Sequence, residues 1–122
     1  YSYGSPKLSS TTFKENEEVT VTVEVTNSGD MDGEESVQLY IRDKVSSATR
    51  PVKELKGYQR VALKVGETKT VSFTIDAESL AFYDINMTYC VEPGEFLIMT
   101  GSSSKDKDLK LTTLEVNNRI EL

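Results

Sequence analysis

A chain of 122 residues has room for one domain with a single hydrophobic core, and none for a barrel enzyme with a second domain beside it. With 37% hydrophobic and 28% charged residues and no long block of like charge, it has the composition of a folded globule. A net charge of −6 and a pI near 4.7 exclude the basic surface that nucleic-acid binding needs, and no apolar run approaches the roughly 20 residues of a membrane helix.

Residues 1–13 read as a lead-in strand. Val19, Val21, Val23 and Val25 then alternate with Thr20, Thr22, Glu24 and Thr26, which puts four β-branched apolar side chains on one face of a strand and polar groups on the other. The same period recurs at Val37, Leu39 and Ile41, at Val61, Leu63 and Val65, and at Val71, Phe73 and Ile75. Turn residues separate these runs at Asn27-Ser28-Gly29-Asp30, Asp32-Gly33, Val65-Gly66-Glu67 and Glu92-Pro93-Gly94-Glu95, where Gly supplies positive φ and Pro pre-sets φ. Hairpins are expected at these places. Asp76 is placed to cap a single helical turn over residues 76–81, after which Phe82 and Tyr83 return to the core. Residues 102–108 are polar enough for a hairpin tip. Leu109 and Leu111 fall one residue out of register with Leu114 and Val116, so a β-bulge at Thr112-Thr113 would bring all four to the core face. Residues 118–122 read as a C-terminal tail. About seven short antiparallel strands with regular turns and no long helix predict an all-β sandwich of immunoglobulin-like type, a single domain over residues 1–122.

Chemistry-bearing patterns are sparse. The chain has no His, and its one cysteine, Cys90, stands in the apolar alternation Tyr89-Cys90-Val91, where a small hydrophobe on a strand is expected rather than a nucleophile. No phosphate-binding glycine loop and no zinc spacing occurs, so no catalytic, cofactor or metal residue is assigned. Asp43, Glu54, Asp84, Glu92 and Glu95 are the carboxylates that a glycosidase pair would have to come from. Each is flanked by turn residues or alternates with core positions, which suits a wet face or a turn cap. The run Asp30-Met31-Asp32-Gly33-Glu34-Glu35 lacks the ligand spacing of a calcium loop and reads as an acidic turn. Segment 42–60 carries Arg42, Lys44, Arg50, Lys53, Lys56 and Arg60 against Asp43 and Glu54, a local positive excess on an acidic chain. Within it Arg50, Pro51, Val52, Lys53, Leu55 and Tyr58 combine loop punctuation, apolar groups and charge, the composition of a domain contact. The six tyrosines are scattered and Trp is absent, so core or interface roles are expected rather than a sugar-stacking platform. Asn86-Met87-Thr88 matches the glycosylation pattern, a short motif that carries little information.

Several runs fit one known pattern in its order. They are Val25-Thr26-Asn27-Ser28-Gly29-Asp30, Ser36-Val37-Gln38-Leu39-Tyr40-Ile41-Arg42-Asp43, the stretch from Thr49-Arg50-Pro51 through Leu55-Lys56-Gly57-Tyr58 to Val71-Ser72-Phe73, Leu80-Ala81-Phe82-Tyr83-Asp84 and Val91-Glu92-Pro93-Gly94-Glu95-Phe96. Together they resemble the C-terminal fibronectin type III-like domain of family 3 glycoside hydrolases, the β-glucosidase and β-xylosidase group. The opening residues keep Tyr3-Gly4, Leu8-Ser9 and Thr12-Phe13 of that family's lead-in but lose the Gly and Tyr between them. The resemblance implies a non-catalytic accessory domain that stabilises a multidomain enzyme by packing on the catalytic domains of the same chain. It also implies no cofactor, a periplasmic or secreted setting and a monomeric isolated domain. A start at Tyr1 with neither initiator Met nor signal sequence is what a fragment of a longer chain would show. The contrasting expectation is a free-standing carbohydrate-binding or adhesin-type sandwich.

Overall fold

The computed structural model describes residues 1–43, 54–83, 86–102 and 109–122. The lead-in is three two-residue strands, β1 (Ser2–Tyr3), β2 (Lys7–Leu8) and β3 (Thr12–Phe13), followed by β4 (Val19–Thr26), β5 (Gly33–Asp43), β6 (Glu54–Leu63) and β7 (Thr68–Ile75). After the single turn α1 (Ala77–Leu80) come β8 (Phe82–Tyr83), β9 (Tyr89–Val91), β10 (Gly94–Gly101), β11 (Leu109–Val116) and β12 (Ile120–Glu121).

Two broad sheets form the sandwich. In one, β4 is central, with β7 on one side and both β1 and β2 on the other. The second runs in the order β3-β11-β10-β5-β6, antiparallel except where β3 lies parallel to β11. A small third sheet, β12-β9-β8, completes the ladders. The lead-in thus changes sheets, since β1 and β2 belong to the first and β3 to the second.

The core is where the alternation predicts it. Val19, Val21, Val23 and Val25 of β4 and Val71, Phe73 and Ile75 of β7 face Val37, Leu39 and Ile41 of β5, Phe96 and Ile98 of β10, and Leu114 and Val116 of β11, all buried. Burying an aliphatic or aromatic side chain contributes about 1.5–3 kcal/mol. A face of this size holds the fold with no disulfide, the one cysteine, Cys90, being a buried thiol on β9.

The structure corrects the sequence reading in five places. The β10–β11 ladder runs from Gly94↔Val116 to Gly101↔Leu109 without a register shift, so there is no bulge at Thr112-Thr113. Thr112, Leu114 and Val116 share the inner face, and Leu109 and Leu111 point outward. The irregularity lies instead between Leu39 and Tyr40, opposite Lys56 of β6. The turns at 27–33, 65–67 and 92–95 do not close hairpins; they carry the chain between sheets, from β4 to β5, β6 to β7 and β9 to β10. Turn residues dictate a sharp reversal, and they are silent on whether the strands beside it pair. Val65 lies exposed in such a turn, next to Gly66 at φ 79°, and Tyr83 is exposed rather than core. Residues 118–122 are no tail, because β12 pairs with β9 and buries Ile120.

Asn27, at the end of β4, shows how such an arch is held. It is buried; its side-chain amide donates to the carbonyls of Met31 at 2.8 Å and Leu63 at 3.1 Å, and its Oδ1 accepts from Gly29 N–H at 3.0 Å. Its backbone also exchanges hydrogen bonds with Glu67 and Gly66. A polar residue in the core is stable here because every one of these groups is satisfied.

Candidate functional site

Of the residues marked as a domain contact, Arg50, Pro51, Val52 and Lys53 lie outside the described residues. Leu55 and Tyr58 lie on β6, the edge strand of the five-stranded sheet, and both point away from the core, 52% and 66% exposed. The shift opposite Lys56 aims them. Leu55 pairs with Tyr40 and Tyr58 with Gln38, so both sit on the outer side, while Gly57 between them turns inward. A Cβ at Gly57 would come within 3.3 Å of the Phe73 ring, so glycine lets the edge strand close on β7. Gln59 then donates from its side-chain amide to the Ser72 carbonyl and fastens β6 across to β7. Lys56 lies 3.2 Å from Glu54, so part of the positive excess read in this segment is answered locally.

Of the carboxylates singled out as possible acid and base, the described ones, Glu54, Glu92 and Glu95, come to no common cleft. Glu54 engages Lys56, Glu92 lies 3.8 Å from Arg119, and Glu95 is on the outer side of β10 opposite Glu115 of β11. The side chain of Asp43 and the whole of Asp84 lie outside the described residues. In the acidic turn, Asp32 accepts from Val65 N–H at 2.8 Å and Glu35 accepts from the Tyr3 hydroxyl at 2.8 Å, so these two carboxylates hold neighbouring strands instead of converging on a cation. Among the described residues no group of three or more His, Cys, Asp or Glu is placed to hold a metal ion. Asp76 performs its predicted task, accepting from both Ser79 N–H and Ser79 Oγ–H at 2.9 Å as the cap of α1.

One cluster was invisible in the sequence. Glu15, Glu17 and Glu18 share an open surface depression with Asp76 and Glu121, brought there from three distant segments. Asp76 is committed to its cap and Glu121 to Arg119 at 3.3 Å. The depression is a wet acidic surface, lacking the enclosed cleft of a glycosidase pair. Partial burial first, then the hydrogen bond and negative charge of Glu35, hold the phenol of Tyr3 well above the usual tyrosine range. That pair joins β1 of one sheet to β5 of the other, a structural link. Tyr83 and Tyr89 tilt against each other with ring centroids 4.9 Å apart.

The fibronectin type III-like domain profile matches residues 35–104. A β-xylosidase of Formosa agariphila is 47% identical over 116 residues, 95% of this chain but 16% of that protein. A periplasmic β-glucosidase of Salmonella typhimurium is 47% identical over 97 residues, 80% of this chain and 13% of its own length. Among solved structures, a β-glucosidase from Erythrobacter marinus superposes with a TM-score of 0.87 at 37% identity over 94% of this chain and 15% of its own. The β-glucosidase of Listeria innocua, solved with glucose, gives 0.83 at 35% identity over 96% of this chain and 16% of its own. The chain therefore spans about a sixth of the length of the proteins it matches.

Proposed function

The chain belongs to the fibronectin type III-like domain family, and on that premise we propose that it is the non-catalytic accessory domain of a family 3 glycoside hydrolase of β-glucosidase or β-xylosidase type. Its work is to stabilise that enzyme by packing on the catalytic domains of the same polypeptide. What carries the reading is a mismatch of coverage. Nearly all of this chain aligns, in sequence and in space, with about one sixth of β-glucosidases and β-xylosidases, while its own carboxylates are dispersed among turns, caps and ion pairs. The acid and nucleophile of the reaction then lie in the remaining domains. The segment with Arg50, Pro51, Val52, Lys53, Leu55 and Tyr58 is assigned to the contact with those domains, and a periplasmic or secreted setting accords with the periplasmic enzyme among the relatives.

Hydrolysis of aryl β-glucosides and β-xylosides by the 122-residue chain and by the longer polypeptide carrying it tests this. Turnover is expected from the longer protein alone. Activity in the isolated chain that disappears on replacing one of its own carboxylates overturns the assignment, as does a longer polypeptide with no glycosidase activity.

A further inference from the structure

Strand alternation gives each sheet an inner and an outer face, and the outer face of β3-β11-β10-β5-β6 is more apolar than the fold requires. The ladder registers set Leu111 beside Met99, Met99 beside Tyr40 and Tyr40 beside Leu55, one continuous row across four strands. On the adjoining rows Leu97 lies beside Arg42 and Thr113, and Tyr58 beside Gln38. Met99 and Tyr40 point away from the core yet are only 6% and 8% exposed, whereas Leu111 is 59% exposed. No charge falls on the central row; Arg42 lies on the row beside it, with Glu95 and Glu115 beyond at that end and Glu34 and Arg60 at the other. An apolar centre with a polar rim is the anatomy of a protein interface.

We propose that this outer face, centred on the row Leu111, Met99, Tyr40 and Leu55, is the surface by which the domain docks on another domain of its own polypeptide. The proposal rests on the accessory-domain reading and extends its contact from Leu55 and Tyr58 across the whole outer face of the sheet. The occupant is argued from size. In solved relatives that match this chain over 94–96% of its length, about five sixths of the polypeptide lies outside the sandwich, and such a partner is tethered. A single apolar row is small beside the roughly 1,600 Å² that a stable association of separate molecules buries, but it suits an intrachain interface of about 600–1,500 Å², where the tether supplies a high effective concentration. A sugar would need an open aromatic platform. Of the two tyrosines on this face only Tyr58 is open, and Tyr40 is buried with its hydroxyl donated to Gln38.

Cysteine labelling tests the face directly, because Cys90 is buried and an introduced thiol is then the readily labelled one in the isolated chain. Leu111→Cys is compared with Thr74→Cys, on the exposed outer face of β7, in the 122-residue chain and in the longer polypeptide cleared of its other accessible cysteines. The Leu111→Cys thiol is expected to react about tenfold or more slowly in the longer polypeptide, with Thr74→Cys equally reactive in both. Equal rates for Leu111→Cys in the two contexts overturn the proposal. So does protection within the isolated chain that grows with its concentration, which marks a second copy, or that follows added cello-oligosaccharide, which marks a sugar face. Aryl-glycoside hydrolysis on the same longer sample separates the two ideas. Hydrolysis with an unprotected thiol sinks the face and leaves the accessory reading, while protection without hydrolysis sustains the face and sinks that reading.

Discussion

The outer faces of the two broad sheets differ more than their inner ones. On the sheet of β4 and β7 the outer rows are Thr20–Thr74, Thr22–Ser72, Glu24–Thr70 and Thr26–Thr68, with the last two hydroxyls 2.7 Å apart. The threonines that dominate these rows keep the branched shape that suits a pleated strand and offer hydroxyls to water. On the other sheet the corresponding positions hold Leu111, Met99, Tyr40 and Leu55. Both inner faces are aliphatic and aromatic, so the sandwich closes equally well with either kind of exterior. An outer residue is therefore free of the fold's demands, and its polarity reports on what lies outside the domain.

The largest effect expected is on the inner side of the hydroxyl-faced sheet. Val23→Asp would bury an uncompensated charge among the core valines at a cost of about 4 kcal/mol or more, enough to unfold a domain of this size, whereas Thr22→Asp, one residue along and facing out, should cost less than about 0.5 kcal/mol. Thermal melts of the two variants check this. A folded Val23→Asp with the parent's melting point would mean that the strand faces are assigned the wrong way round.

Next in size is the clamp between the sheets. Asn27 joins the end of β4 to the end of β6 through the Leu63 carbonyl. Asn27→Leu leaves that carbonyl, the Met31 carbonyl and the Gly29 N–H without their partner, at about 1–3 kcal/mol for a fully buried group and less for the part-buried ones. A net loss of about 2–4 kcal/mol is expected, read as a lower urea midpoint with an unchanged slope. A variant as stable as the parent would show that water replaces the side chain there.

The inner faces were legible in the sequence because a period of two in β-branched residues admits one burial pattern, and Val19 to Val25 obey it throughout. Asp76 was legible as a cap for a similar reason, since its bond to Ser79 spans three residues. Asn27 was read only as a turn residue, because its partners at Leu63 and Glu67 are far away in sequence. The reading of β11 failed on an assumption that every leucine in an alternating run belongs to the core. Leu111 answers to Met99 and Leu109 to Gly101 on the outer side instead, so the phase change that suggested a bulge is the signature of a strand apolar on both faces. Leu55 and Tyr58 were read as part of an ordered loop, whereas they lie on the strand β6, and their neighbours on its outer face come from β5, β10 and β11 and could be collected only from the ladder registers.

A smaller effect separates the second link between the sheets from the first. Tyr3 donates to Glu35, and burial with that neighbouring carboxylate holds its phenol above its ordinary range. With the folded value raised, the unfolded chain loses its proton first. The contribution is therefore whole below about pH 10, the unfolded value, and declines as the pH climbs toward the higher folded one. Tyr3→Phe should cost about 1 kcal/mol near neutrality, since the pair is only partly buried. The gap between the variant and the parent should narrow above about pH 10. A gap that is the same at both pH values would remove the Tyr3 proton from the account.

The smallest effect bears on the comparison most directly. Leu111 and Leu114 lie on one strand and face opposite ways, so a single substitution made at each weighs the two faces against one another. Leu114→Thr puts a hydroxyl into the core and removes buried methyl groups, which should cost about 2–4 kcal/mol. Leu111→Thr gives up only part of a side chain that is already mostly in water, and threonine is well suited to an outer strand position, as the facing sheet illustrates. A change within about 0.5 kcal/mol is expected in the isolated chain, measured by urea denaturation. Had the strand carried a bulge at Thr112-Thr113, both leucines would be core and the two costs would match. Equal losses would therefore restore that bulge and remove the apolar row, and with it the contrast between the two exteriors.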